Sequence, residues 1–382
     1  MAVYSIVGTD ARRHQDRLPD IWLDYNAPGV RLASAPEKFV SSVSSRLTTL
    51  PEPPREKTGW PWTEESPPLP NRMPDGSPWP RISIVTPNYN YARYLETTIR
   101  SVLLQNYPNL EYIVQDDGST DASVDLIRRY EAHLAFWSTE PNSGQPAVIN
   151  RGMRLSTGSI LAYINSDDYY LPGAFAAVAL HFHQHPEADL VYGRCRIVDE
   201  QEQKIREHFG RLSHLDEVLD LWDVWWAKRQ IVQPESFWRR RVYEEIGGFR
   251  EDLYIVFDYE YWCRMLLNGA VFQRIDAELA CFRRQPVQKT SNSERVANEE
   301  REVIRPWLWN KKVPLSPPRR LQLQGQWLYA KLFLPLIAES QQRGESKVRR
   351  WIRIAELCAR HPQILTAPGL RRRLRSVIGV SS

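Results

Sequence analysis

Arg81-Ile82-Ser83-Ile84-Val85-Thr86-Pro87-Asn88-Tyr89-Asn90 opens a stretch, running to Tyr170, in which three apolar runs each end in a small polar or acidic cluster. The first run ends at Thr86 to Asn90. The second, Glu111-Tyr112-Ile113-Val114, ends at Asp116-Asp117-Gly118-Ser119, and the third, Ile160-Leu161-Ala162-Tyr163-Ile164, ends at Asn165-Ser166-Asp167-Asp168. Short apolar runs bounded by turn residues read as buried strands. In an open α/β sheet, ligands bind in the crevice at the carboxyl ends of the strands. Acids at successive strand ends therefore converge on one ligand, and paired acids point to metal and nucleotide chemistry.

Working outward, the pattern predicts strand 82–85, a helix through Tyr94, Ile99 and Leu103, strand 111–114, and a helix from Asp121, a plausible N-cap after Gly118-Ser119-Thr120. A short strand at Ala135-Phe136-Trp137 leads through the loop 140–145 to a helix through Ile149 and Met153. Strand 160–164, a helix from Gly173 to His185 and a strand at Asp189-Leu190-Val191-Tyr192 complete the series. Such alternation implies a mostly parallel sheet with helices on both faces. Beyond Gly193 the alternation fades, leaving a helix that ends at Gly247-Gly248, a helix from Asp258 to about Asn268, and short strands near Val271 and Leu279.

Three regions follow: a proline-rich extension over 1–80, an α/β region over 81–300 divided near 193, and a helical region over 301–382. Trp22, Tyr25, Trp60, Trp62 and Trp79 in the first argue for packing on the core, because burying them offsets the entropy of ordering. The composition of the 382 residues, 42% hydrophobic and 25% charged, is that of an ordinary globular protein. The start shows neither a basic n-region nor a full apolar h-region, and no run is long enough to span a bilayer, so a cytoplasmic protein is expected. Cys195, Cys263, Cys281 and Cys358 are scattered, fit no metal spacing and read as reduced. The net charge of +4 is uneven: from residue 301 onward 17 Lys or Arg face 4 Asp or Glu, so the tail carries +13 and the rest −9.

Two adjacent carboxylates repel, so Asp167-Asp168 at a strand end calls for a neutralising cation, and oxygen ligands favour Mg²⁺ or Mn²⁺. Capping of the turn at Tyr169 to Pro172 by Asp168 is the plainer alternative. Asp117 beside Tyr89 pairs a carboxylate, which accepts a base N–H, with an aromatic face on which a base stacks, a combination that suits uracil or thymine.

Together these residues resemble the inverting glycosyltransferases of family 2, which have the GT-A fold and use nucleotide-diphosphate sugars. Arg81 to Tyr91 is similar to that family's opening strand, Ser101 to Pro108 to its first helix end, and Asp116 to Asp121 to its acidic nucleoside motif. The resemblance implies that Tyr89 and Pro87 border the base, that Asp117 bonds it, and that Asp168 holds a divalent ion, Mn²⁺ or Mg²⁺, bridging the diphosphate of a UDP- or dTDP-sugar. Asn150, Arg151 and Asp167 resemble positions that contact ribose, phosphate or sugar. The family's D-x-D reads Ser166-Asp167-Asp168 here, with a serine in place of the first acid. Gln233 to Trp238 and Gly247-Gly248-Phe249 resemble the approach to the acceptor helix. Asp258 then falls at the catalytic base, with Glu260 as its rival and N-capping as its other reading. Arg283-Arg284-Gln285 with Lys289-Thr290-Ser291 resembles a closing loop that screens the diphosphate. Trp222, Trp225 and Trp226 read either as a sugar subsite or as core.

The expectation is transfer of a sugar to a glycan or lipid-linked acceptor in polysaccharide or glycoconjugate biosynthesis, with no nucleic-acid partner. The basic tail, with its apolar stripes from Trp327 onward, suggests peripheral attachment to an anionic membrane. The alternative is a non-catalytic nucleotide-sugar or carbohydrate binding protein on the same fold.

Overall fold

The computed structural model describes residues 45–141, 143–286 and 288–370. Trp22 and Tyr25, singled out above, lie outside them, as does Arg371-Arg372-Arg373 of the basic tail. Strand β1 (Ile82–Asn88) is buried along its whole length, as expected of an apolar run with neighbours on both sides and helices against it. Helix α1 (Ala92–Leu103) leads to β2 (Leu110–Asp116), which pairs parallel to β1 so that Asn88 stands opposite Asp116. Helix α2 (Ser123–Tyr130) follows, and Asp121 joins its start to that of α1 by accepting the N–H groups of Ser123 and Ala92. Strand β3 (Phe136–Thr139), helix α3 (Gln145–Leu155) and strand β4 (Ile160–Tyr163) extend the parallel part, with Val85 of β1 opposite Tyr163 of β4. The registers bring the ends of β1, β2 and β4, with their polar clusters, to one edge.

After the two-residue β5 (Tyr169–Tyr170) and α4 (Ala174–Gln184), β6 (Leu190–Val198) runs straight through Gly193, where the alternation faded, and turns back as β7 (Lys204–Phe209). A Cβ on Gly193 would stand 2.5 Å from the Ala277 carbonyl oxygen, so only glycine allows that approach at the irregular register there. Helix α5 (Leu215–Val218) precedes β8 (Ser236–Arg239), which inserts antiparallel between β4 and β6. Helices α6 (Arg240–Ile246) and α7 (Phe257–Leu267) are followed by β9 (Phe272–Arg283), one twelve-residue strand where two short ones were expected. The described strands form a nine-stranded sheet in the order β3-β2-β1-β4-β8-β6-β9-β5, with β7 on β6.

Residues 50–80 lie along this core, with Leu50, Trp62, Met73 and Trp79 buried. The fully buried Arg100 guanidinium on α1 holds them, donating to the carbonyl oxygens of Pro51, Pro61 and Trp62 at 2.8–2.9 Å. The C-terminal helices α8 (Ser293–Trp309), α9 (Pro317–Leu328), α10 (Leu334–Gln342) and α11 (Lys347–Arg360) contribute Ile304, Leu323, Trp327 and Ile354 to the same apolar cluster as the sheet. Trp222 and Trp226 pack here; Trp222 meets Tyr329 edge-on at 5.5 Å. Arg319 reaches back to Asp220 at 2.9 Å.

Candidate active site

The edge where β1, β2 and β4 end opens into a cavity of about 760 Å³. Pro87, Tyr89, Asp117, Asp167, Asp168 and Asp258 all line it, drawn together from positions 171 residues apart in the chain at the extremes, 87 and 258.

The acidic turn after β4 is fixed from below. The buried Thr98 hydroxyl sits at hydrogen-bonding distance from the carbonyl oxygens of Ser166 and Asp168, and the Ser166 hydroxyl donates to the Pro87 carbonyl at 2.6 Å. Serine at this position thus ties the turn to the end of β1. Asp168 accepts the Arg283 backbone N–H on Oδ1 at 2.8 Å, while its Oδ2 is buried with no hydrogen-bond partner among the described residues. Asp167 accepts the Gln285 amide at 2.5 Å. Burial pushes both carboxyls above the usual range, and the Asp167 charge pushes Asp168 further, against the pull of the Arg283 backbone N–H and its charge. Two crowded carboxyls, one with an unsatisfied oxygen, fit a small divalent cation that takes one or two protein carboxylates and completes its shell with substrate phosphate and water. The donor set is all oxygen, which suits Mg²⁺ or Mn²⁺.

Arg283 does not face the cavity. Its guanidinium is buried, donating to the Asp167 carbonyl at 2.9 Å and pairing with Glu202 at 3.1 Å, because the strand end needs an anchor beneath the acidic turn. The cations of this loop that do line the cavity are Arg284 and Lys289.

On the β2 side, Asp116 and Asp117 divide their work. Asp116 is buried and bonds Asn88, the Gly118 and Ser119 N–H groups and the Thr139 hydroxyl, which closes the turn. Asp117 lines the cavity and gathers the N–H groups of Ser143 and Gly144 at 2.8 and 3.0 Å. Tyr89, 44% exposed, presents its ring at the mouth. Asn150 and Arg151 stand off the cavity wall. Asn150 clasps the backbone of Phe249 through both its amide groups, and a Cβ on Gly248 would fall 2.4 Å from its oxygen. Arg151 donates to Gln115 at 2.8 Å and Glu140 at 2.9 Å.

Opposite lies α7. Asp258, its second residue, lines the cavity, accepts the Tyr259 N–H at 2.7 Å, and is pushed up to about 6 by burial. Glu260 is buried elsewhere and paired with Arg264 at 2.7 Å, whose guanidinium also holds the carbonyls of Ile246 and Gly248. Trp225 lines the cavity as well, stacked on Trp262 at 5.9 Å and mostly buried.

Three cavity carboxyls escaped the sequence reading, Glu251 and Asp252 ahead of α7 and Glu300 on α8. Glu300 is raised to about 7 by burial and bonded to the Trp226 indole at 2.9 Å. Its signal was present, since Val296, Glu300, Val303 and Ile304 share one helical face and an acid among apolar residues there is exceptional.

Residues 83–254 match the profile of Glycosyl transferase family 2. The chain is 28% identical over 199 residues to a PGL/p-HBAD biosynthesis glycosyltransferase of Mycobacterium bovis, covering 51% of this chain and 73% of that protein. It is 26% identical over 287 residues to the Mycobacterium tuberculosis protein MT1568, covering 70% and 87% respectively. In fold it is similar to the crystal structure of S. aureus TarS 1-349 in complex with UDP-GlcNAc, with a TM-score of 0.51 at 18% identity over 65% of this chain and 73% of that one. Over residues 83–254 the chain is a family 2 glycosyltransferase domain, and the protein is a glycosyltransferase with the GT-A fold.

Proposed function

We propose that the protein transfers a sugar, with inversion at the anomeric carbon, from a UDP- or dTDP-sugar to a hydroxyl of a glycan or lipid-linked acceptor in polysaccharide or glycoconjugate biosynthesis. The observation that carries this reading is the placement of Asp168, with its unsatisfied buried oxygen, and Asp258 on walls of one cavity. Tyr89 stacks on the base, beside Pro87, and Asp117 accepts the base N–H on a lone pair left by the loop it holds. Asp168, with Asp167, would hold the divalent ion, which when bound would supply the positive charge that neutralises the departing diphosphate. Asp258 takes the proton of the acceptor hydroxyl as its oxygen bonds to the anomeric carbon and the bond from that carbon to the diphosphate oxygen breaks. Asn150 and Arg151 hold the walls, at the 248–251 turn and at the end of β2, in place of direct donor contact.

The test is a panel of nucleotide sugars with Mn²⁺, read by donor hydrolysis and thermal shift, since a bound ligand raises apparent stability with the logarithm of its concentration. UDP- or dTDP-sugars are expected to respond, and NMR of the first-formed product to show the opposite anomer. Response to none of the panel, or a retained anomer, would refute the reading.

We infer further that the enzyme rests on an anionic membrane surface. No helix among the described residues is long and apolar enough to cross a membrane. Helix α11, however, exposes Val348, Trp351 and Ile352 beside the basic Lys347 and Arg349, an apolar stripe edged by cations. Trp327 and Ile354, by contrast, are buried, and so are Ile364 to Leu370 in part, so truncating the tail would remove core. The cleaner test substitutes the exposed stripe. Salt-sensitive sedimentation with phosphatidylglycerol vesicles, absent with phosphatidylcholine alone and lost in Trp351→Glu/Ile352→Glu, is expected. Wild-type protein that stays in the supernatant with both would exclude the attachment.

A further inference from the structure

Helix α7 begins without a side-chain cap, because the residue before it is Val256, which has no acceptor to offer. The backbone leading into it is held instead from α8. The Glu299 carboxylate accepts three consecutive backbone N–H groups, those of Tyr254 on Oε1 at 2.9 Å and of Ile255 and Val256 on Oε2 at 2.8 and 2.9 Å. Consecutive N–H groups converging on one anion form a concave nest, here filled by a side chain of the same protein. The grip is doubled one turn earlier on α8, where the Arg295 guanidinium lies 3.9 Å from the centre of the Tyr254 ring. Tyr254, Ile255, Val256 and Asp258 all line the cavity, so the held segment is its wall. The family-matching stretch ends at residue 254, where this grip begins.

We propose that Glu299 is a positioning residue for glycosyl transfer: by gathering the three N–H groups it sets where the carboxylate of Asp258 stands, and so makes α8 a working part of the active site. The inference rests on the reading of Asp258 as the general base. Displacement of a reacting group by about 1 Å can cost roughly 10²-fold in rate, and a segment that has lost three hydrogen bonds to one partner has that freedom. The charge of Glu299 also acts on Asp258 directly, raising it alongside burial. The other ionisable groups against Asp258 are Glu300 on α8 and Tyr163 on β4, whose own proton affinities respond to it.

Glu299→Ala is expected to lower kcat roughly 10²-fold with the donor KM unchanged, and to move the acid limb of the kcat/KM profile to lower pH. Glu299→Gln retains one acceptor oxygen but no charge, so it should recover part of kcat while showing the same shift of the limb. Unchanged kcat and pH profile in Glu299→Ala would overturn the proposal. So would a loss of kcat matched by an equal loss of donor affinity and melting temperature, since that marks a merely structural role. If Glu299→Ala does not fold, Glu299→Gln decides by its pH profile alone. Asp258→Asn run in parallel separates the two readings: if that variant remains active, the base assignment has failed, whereas an inactive Asp258→Asn beside a normal Glu299→Ala refutes only the role of Glu299.

Discussion

Asp258→Asn is expected to lower transfer by about 10²–10⁴-fold, the usual contribution of a general base, while leaving donor affinity intact. The amide keeps the oxygen that accepts the Tyr259 N–H, so geometry is preserved and only proton acceptance is lost. Because burial lifts the wild-type carboxyl to about 6, kcat/KM should fall as pH drops through that region and the base becomes protonated. The same shift predicts a change in stability of opposite sense. A carboxyl whose folded pKa lies above its unfolded value binds protons more readily in the folded state, so its contribution to stability is present at low pH and is lost as pH rises past about 6. Holding Asp258 ionised at neutral pH costs up to about 3 kcal/mol on this basis, and Asn removes that cost. The inactive variant should therefore melt higher than wild type near pH 7.5, by a margin that narrows as pH falls through about 6 and closes only below about 4, the ordinary carboxylate value. Greater damage from Glu260→Gln than from Asp258→Asn would overturn the assignment, and Glu260, locked to Arg264, gives no structural reason to expect it.

Asp168→Ala is the second large effect: turnover should fall by at least about 10²-fold, the scale of losing one preorganised electrostatic contact at a leaving group. Titration calorimetry with UDP should show Mn²⁺-dependent binding in the wild type and none in the variant. The buried, crowded carboxyl is unfavourable without a cation, so the variant should also lose the rise in melting temperature that Mn²⁺ with UDP gives the wild type. Full wild-type activity in excess chelator would sink the metal assignment.

The parallel part of the fold was legible because β1, β2 and β4 are short apolar runs whose burial needs no partner to be identified, and whose polar ends mark the site. Strand β8 was not: Ser236–Arg239 has four residues, follows Pro234, and gains its identity only from the long-range antiparallel pairing with β4 and β6. The continuation of β6 past Gly193 was hidden for a related reason, since a glycine that permits a close approach looks the same in sequence as one that ends a strand. Within the site, acids at strand ends could be found from their neighbours. Asn150 and Arg151 could not be placed, because whether a polar residue on α3 faces the ligand or the adjoining turn depends on the packing of Phe249 and Gln115 against it. Glu299 and Glu300 sit just ahead of the region, from residue 301 onward, whose net charge of +13 drew attention to its cations.

Arg100 has a bearing on where this enzyme can be cut. Its guanidinium has no water to turn to, and it is bound by oxygens contributed by Pro51, Pro61 and Trp62, all upstream of the stretch that defines the family. A polypeptide trimmed to begin at Arg81 would keep every residue of the acidic cavity edge and yet lose the carbonyl oxygens that hold Arg100 and the buried Leu50, Trp62, Met73 and Trp79, laying bare the face of the core they cover. The unit that buries its own core thus starts ahead of Pro51, and the boundary drawn by kinship is narrower than the one drawn by burial.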